Sequence, residues 1–232
     1  MREIVLDTET TGLDPLKGDR IVEIGCVEIE NLMPTGRTFQ EYFNPERPMH
    51  PDAADISGLT DEFLADKPVI AAKIDDFLAF IGEAPLVIHN ASFDIGFLNA
   101  ELRRLDKPLL PADRAVDTLM LARKRYPGAA ASLDALCRRF GVDASERTVH
   151  GALLDSQLLA QVYLELKGGR QPSFGLDDQA LAMGDGSAEG AGGIAARVAR
   201  TPRPARPHSA SEEELALHRA LLDQLDRPIW LN

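Results

Sequence analysis

With 232 residues, 37 acids and only 25 lysines and arginines, for a net charge of −12, the chain is long enough for one core plus an appendage. It is too acidic to hold a polyanion on a broad basic surface. Cys26 and Cys137 sit in apolar patterns without a CxxC spacing, which excludes a disulfide framework and suits a reducing cytosol. No apolar run approaches the about 20 residues of a membrane-spanning helix, and the N-terminus enters a strand with no cleavable leader, so a soluble cytoplasmic protein is expected.

Strands are predicted over 2–8, 20–30 and 37–43, separated by a turn around Asp14-Pro15 and another from Asn31 to Gly36. In the first strand Asp7 and Glu9 alternate behind Ile4, Val5 and Leu6, so both carboxylates project to one face. Pro68 opens a helix with Ile70, Ile74, Phe77, Leu78 and Ile81 on one side, ended by Gly82. A buried strand near 85–89 and a helix near 94–105, opening at Asp94, come next. A short strand near 114–117 leads to helices near 117–125, 132–140 and 152–167. In the last of these, Asp155 shares a side with Leu158, Leu159, Val162 and Leu166, and a carboxylate on an apolar face needs a partner. Asp117 reads as a support at a strand end, and Asp134, two residues after the N-cap Ser132, as a first-turn helix acid. Strands first, then strands interleaved with helices, make an α/β fold in which helices cover a mixed sheet.

Residues 182–207 are dominated by Ala, Gly, Pro and Arg and read as a linker. Beyond it, Ser211 followed by Glu212, Glu213 and Glu214 has the pattern of a capping box. Leu215, Leu217, Leu221, Leu222 and Leu225 then form the apolar face of a short helix that ends near Pro228, with Trp230 just outside. A lone short helix is marginal in water, so this face is expected to await a partner rather than fold back onto the core.

The chemistry lies in three motifs, Asp7–Gly12 (DTETTG), His89–Phe97 (HNASFDIGF) and His150–Asp155 (HGALLD), which supply four carboxylates and an imidazole. Each has a bland counterpart: an acidic strand end, an Asn turn, a first-turn acid. Their order and complementary chemistry do not. Four converging carboxylates would repel by about 4 kcal/mol per pair at about 4 Å and an effective dielectric near 20, and divalent cations remove that penalty. Oxygen ligands without thiolates favour Mg²⁺ or Mn²⁺ over zinc. Two such ions about 3.5–4 Å apart can stabilise the attacking and leaving oxygens of a phosphodiester. His150, at the helix entrance, can take a proton from the attacking water.

On these residues the chain resembles DEDDh-type 3′→5′ exonucleases, most closely the epsilon proofreading family of bacterial DNA polymerase III, over roughly residues 2 to 170. The resemblance implies a ribonuclease H-like sheet of five strands, with Asp7, Glu9, Asp94 and Asp155 as ligands of two divalent ions, Mg²⁺ or Mn²⁺, and His150 as general base. It further implies water as nucleophile, a deoxynucleoside 5′-monophosphate as product, and Thr10, Leu13 and Phe93 around the 3′-terminal nucleotide. Ser57 departs from the pattern, since epsilon-like sequences often carry His before the following Gly. Gln171-Pro172-Ser173-Phe174-Gly175-Leu176 resembles the clamp-binding peptides of replication proteins, with Gln171, Phe174 and Leu176 as pocket residues.

The implied organisation is an exonuclease domain over 1–170, a clamp-binding peptide over 171–176, a flexible linker over 177–210 and a polymerase-binding tail over 211–232, with Leu221 and Trp230 as anchors. Implied partners are a DNA 3′ end, single-stranded or frayed, the catalytic subunit of the replicative polymerase, the sliding clamp and a small accessory subunit, with no membrane. Residues 177–232 hold nine acids and six arginines, leaving 28 acids and 19 bases in the rest. Phosphate contacts dominate non-specific affinity, so such a nuclease should receive its substrate from a partner that grips the duplex. The alternatives are a free-standing 3′ exonuclease on RNA or small nucleic acids, which needs neither linker nor tail, and a non-catalytic clamp–polymerase adaptor, which needs no repulsive acid cluster.

Overall fold

The computed structural model describes residues 1–145, 147, 149–169 and 211–223. Five strands, β1 (Arg2–Thr10), β2 (Ile21–Glu30), β3 (Met33–Tyr42), β4 (Leu86–Ile88) and β5 (Ala115–Asp117), form one sheet in the order β3-β2-β1-β4-β5. The β1–β2 and β2–β3 pairs are antiparallel; β1–β4 and β4–β5 are parallel. The expected mixed five-stranded, ribonuclease H-like sheet is thus present.

Among the described residues, seven helices accompany the sheet: α1 (Pro51–Ser57), α2 (Asp61–Ala65), α3 (Ile74–Ile81), α4 (Ala91–Arg104), α5 (Thr118–Arg125), α6 (Leu133–Phe140) and α7 (Ala152–Leu166). β1 is apolar on consecutive residues because it is covered on both faces. Ile4 and Leu6 pack with Ile24, Cys26, Leu86 and Ile88 against Phe77 of α3 and Phe97 and Leu98 of α4. Val5 packs with Val27 and Val87 against Leu136 of α6 and Leu158, Val162 and Tyr163 of α7. Cys26 and Cys137 are both free and buried.

Several boundaries differ from the sequence-based expectation. β3 starts at Met33 rather than near 37, because Asn31 and Leu32 both take positive φ (50° and 67°) and close a two-residue hairpin turn. Gly36, read as part of a longer turn, lies inside β3 with φ 87°, and the β2–β3 register shifts between Val27 and Ile29. The helix expected from Pro68 begins as a 3₁₀ turn over Ile70–Ala72 before α3. α4 starts at Ala91, three residues before Asp94, behind a left-handed Asn90 with φ 67°. The short helices α1 and α2 carry too few turns to show a periodicity and were not anticipated; Thr60 caps α2 by accepting the Phe63 N–H at 3.2 Å.

In the C-terminal unit, α8 (Glu212–Leu222) has the anticipated capping box, with Ser211 accepting from the Glu214 N–H and the Glu214 side chain accepting from the Ser211 N–H. Leu221 on it is exposed. Gln171, Phe174, Leu176, Trp230 and the linker over 177–210 lie outside the described residues. Among the described residues, no helix is long and apolar enough to cross a membrane.

Candidate active site

The parallel strands β1, β4 and β5 bring their C-terminal ends to one edge of the sheet, where α4 and α5 begin and where ligands of open α/β sheets commonly sit. Asp7 and Glu9 share the α7-facing side of β1 with Val5, opposite Gly25 and Glu23 of β2 respectively. Gly25 is required here for space: a Cβ would overlap the backbone of Ala152 and Leu153 at the start of α7. The close approach is locked by two hydrogen bonds. The Ser156 hydroxyl donates to the Gly25 carbonyl at 3.0 Å, and the Ala152 N–H donates to the Glu23 carboxylate at 3.0 Å. Gly151 has no side chain with which to cap α7, so a buried acid from β2 does so.

Asp155 lies in that first turn and is buried. Side-chain donor atoms of Glu9, His150 and Asp155 fall within 4.8 Å of one another. Asp94 arrives from the other layer, and the Thr8 hydroxyl donates to its Oδ1 at 2.8 Å. Asp117 serves as the support expected of it, accepting from the N–H groups of Leu119 (2.9 Å), Met120 (3.2 Å) and Ala91 (3.3 Å), and so joining the starts of α4 and α5. The His150 N–H donates to Ile56 at 3.0 Å, tying its loop to α1. Ser57 is buried there, its hydroxyl donating to the Ala53 carbonyl at 2.8 Å and accepting from the Leu59 N–H at 3.3 Å. That hydroxyl therefore serves its own helix end.

A cleft of about 460 Å³ opens over Asp7, Glu9, Asp94, His150 and Asp155, and Phe93, Arg123 and Arg147 also line it. Thr10 and Leu13 do not. Thr10 is buried, donating to the Gly12 carbonyl at 2.6 Å, and Leu13 is 84% exposed just beyond the end of β1.

The carboxylates oppose one another. Burial, then repulsion from Asp94, Glu9, Asp155 and Glu23, holds Asp7 well above the usual carboxylate range. Burial and the charges of Asp155, Glu23 and Asp94 push Glu9 up to about 8, with Arg147 pulling the other way. Burial raises Asp94 to about 7 against the stabilising hydrogen bond from Thr8. A convergent set of oxygen donors plus one imidazole, with Asp7, Glu9 and Asp94 destabilised as anions, fits a hard divalent cation.

Three contributors were not singled out from the sequence: Thr8, Glu23 and Arg147. An acid within an apolar strand is a usable signal for Glu23, as an acid on an apolar helical face is for Asp155. Arg147 carries no such signal, because it lies in the loop before His150. Its guanidinium forks onto Asp155 (Nε–Oδ1 2.5 Å, Nη2–Oδ2 2.6 Å), lies 2.9 Å from His150 Nδ1 and pairs with Asp134. Asp134 is thus more than a first-turn helix acid.

Acids converge from both layers on the C-terminal edge of a ribonuclease H-like sheet, beside an imidazole at the mouth of α7, in a chain of the 3′→5′ exonuclease class. The chain matches the exonuclease family of RNase T type over residues 4–163, and belongs to it. Within that class it belongs to the DNA polymerase III epsilon subunit family. It is 55% identical over 184 residues to DNA polymerase III subunit epsilon of Rickettsia felis, covering 78% of this chain and 80% of that one. It is 44% identical over 235 residues to the epsilon subunit of Salmonella typhimurium, covering 97% and 94%. Among solved structures, exonuclease X in complex with 5′ overhanging duplex DNA superposes with a TM-score of 0.54 at 27% identity, covering 71% of this chain and 90% of that one.

Proposed function

We propose that this exonuclease is the proofreading subunit of a bacterial replicative polymerase, removing mismatched 3′-terminal nucleotides from DNA as 5′-monophosphates. The carrying observation is the meeting of Glu9, His150 and Asp155 within 4.8 Å beside Asp7 and Asp94. Asp7, Glu9, Asp94 and Asp155 would hold two divalent ions, Mg²⁺ or Mn²⁺, which when bound supply positive charge to the attacking and departing oxygens. His150 takes the proton of the water that attacks the terminal phosphorus, and the bond to the 3′ oxygen of the preceding nucleotide breaks. Phe93, in the cleft wall, offers a ring to the terminal base, whereas Thr10 and Leu13, which lie outside the cleft lining, would reach the terminal nucleotide only from beyond its rim. Glu23 and Thr8 position Asp155 and Asp94.

The acid excess supports delivery of the substrate by a partner, since 28 acids against 19 bases over residues 1–176 give little hold on phosphate. The polymerase would bind the tail through Leu221 and Trp230, and the sliding clamp would bind Gln171, Phe174 and Leu176. Among the described residues, Leu215, Leu217 and Leu221 are all exposed on α8, which supports a tail face available to a partner.

The deciding experiment incubates the purified chain with 5′-labelled DNA and RNA of equal sequence, with Mg²⁺, with Mn²⁺ or with chelator. DNA should shorten stepwise from its 3′ end only with metal; faster loss of RNA than of DNA would favour the free-standing nuclease. A chain cut after residue 180 should keep its single-strand turnover, since the five proposed catalytic residues end at Asp155, but should no longer co-elute with the replicative polymerase. Retained co-elution would remove the tail from the polymerase interface. His150→Gln should lose about 10²–10⁴-fold in rate while still binding Mn²⁺. An unchanged rate would leave His150 a structural role only.

A further inference from the structure

We infer that Arg147 is a resident counter-cation of the catalytic centre, competing with the divalent ion for Asp155 and moving onto Asp134 when the ion binds. This rests on the assignment of Asp155 as a ligand. Both Asp155 oxygens are engaged by the guanidinium, at 2.5 and 2.6 Å, in the fork geometry that makes arginine–carboxylate pairs strong. The pair is withdrawn from water, with the Arg147 side chain 8% and the Asp155 side chain 4% exposed. A dication ligated by Asp155 would lie within a few ångströms of this fixed positive charge, where repulsion is weakly screened. One cation must then give way.

Arg147 has somewhere to go. Its Nη1 already pairs with Asp134, whose side chain is 55% exposed at the start of α6. With that pair in place, Arg147 can give up Asp155 without leaving its own charge uncompensated.

The same movement frees His150. Nη2 lies 2.9 Å from His150 Nδ1, and a guanidinium can only donate, so Nδ1 accepts and a neutral ring carries its proton on Nε2. Arg147 therefore holds a ligand and the base together, and arrival of the ion releases both. It is a positioning residue that couples ion binding to the readiness of the base. In the ion-free protein it would offset part of the charge that Asp7, Glu9 and Asp94 oppose, as its stabilising influence on Glu9 indicates.

The test is Mn²⁺ binding to the full-length chain, followed by electron paramagnetic resonance of the free ion, without nucleic acid or turnover. R147Q should bind Mn²⁺ about fivefold or more tightly than wild type, the low end of ordinary coupling between two competing ligands. D134N, lacking the alternative seat, should bind more weakly than wild type. In the double variant R147Q/D134N the Asp134 effect should vanish, because the residue acts only through the arginine; two independent charges would instead give additive changes. R147K, which keeps the charge but not the fork, should lie between wild type and R147Q, and its melting curve checks that substitution here preserves the fold. Unchanged or weaker binding by R147Q, or additive behaviour in the double variant, overturns the inference. Failure of wild type itself to bind Mn²⁺ would overturn the metal-ligand assignment beneath it.

Discussion

Replacing Asp7 by Asn together with Glu9 by Gln should lower hydrolysis by at least about four orders of magnitude and yet raise the melting temperature of the chelator-treated protein at pH 8. The swaps keep shape while removing two charges from a cluster in which neighbouring acids raise both Asp7 and Glu9. The pH dependence fixes the sign. Glu9 is pushed from an ordinary 4.5 to about 8, and Asp94 from 3.8 to about 7, so between those values the folded chain binds more protons than the unfolded one. Their contribution to stability is full below pH about 4 and is lost as pH rises toward 7–8, at up to about 1.4 kcal/mol per pH unit for each group. Without divalent ions, wild type should therefore melt lower at pH 8 than at pH 5, while the double variant should show a flatter profile. Adding Mg²⁺ or Mn²⁺ should restore wild type at pH 8 and do little for the variant, because an ion that binds only the folded chain stabilises it. Melting curves at the two pH values, with chelator and with metal, give the comparison. Near-normal turnover in the variant, or a wild type equally stable at both pH values in chelator, would remove Asp7 and Glu9 from the metal centre.

What could be foreseen in this site follows the range over which a physical cause acts. Period-two alternation in β1 places Asp7 and Glu9 on one face without any knowledge of the neighbouring strands. The apolar stripe of α7 likewise marks Asp155 as a buried acid in need of a partner. The partners themselves are set by pairing across the sheet. That Glu23 stands opposite Glu9 and caps α7 depends on the β1–β2 register, over an interval of more than a hundred residues between Glu23 and Ala152. The early start of β3 is a matter of two left-handed residues, Asn31 and Leu32, where a longer turn ending at Gly36 was the simpler expectation. A leucine at positive φ has no propensity signature. The short helices α1 and α2 escaped notice for want of turns, yet α1 supplies the Ile56 carbonyl that holds the His150 backbone. Arg147 was hidden for the same reason that makes it effective: a long side chain from a loop reaches Asp155, Asp134 and His150 together, which no local pattern records.

The second large effect should come from a single methyl group. Gly25→Ala is expected to destabilise the protein by about 1–3 kcal/mol or more and to reduce turnover about 100-fold, although residue 25 bears no reactive atom. Its backbone φ is not positive, so the demand is for room alone. The added Cβ would overlap the Ala152 carbonyl carbon and the Leu153 nitrogen, both main-chain atoms of α7 that cannot rotate aside. To accept it, α7 must lift from β2, straining the Ala152–Glu23 and Ser156–Gly25 hydrogen bonds and carrying Asp155, in the same turn, away from Asp7 and Glu9. Loss of Mn²⁺ affinity should accompany the loss of rate, because one of the four proposed ligands has moved. Gly96→Ala is the control: within α4 a Cβ at that position meets nothing within 4 Å, so the change should be neutral or stabilising by up to about 1 kcal/mol. Urea titrations and single-strand turnover on both variants separate the effects. If Gly25→Ala matches wild type in stability and rate, contact between β2 and α7 does not set the position of Asp155, and the helix's other contacts must place this proposed fourth ligand.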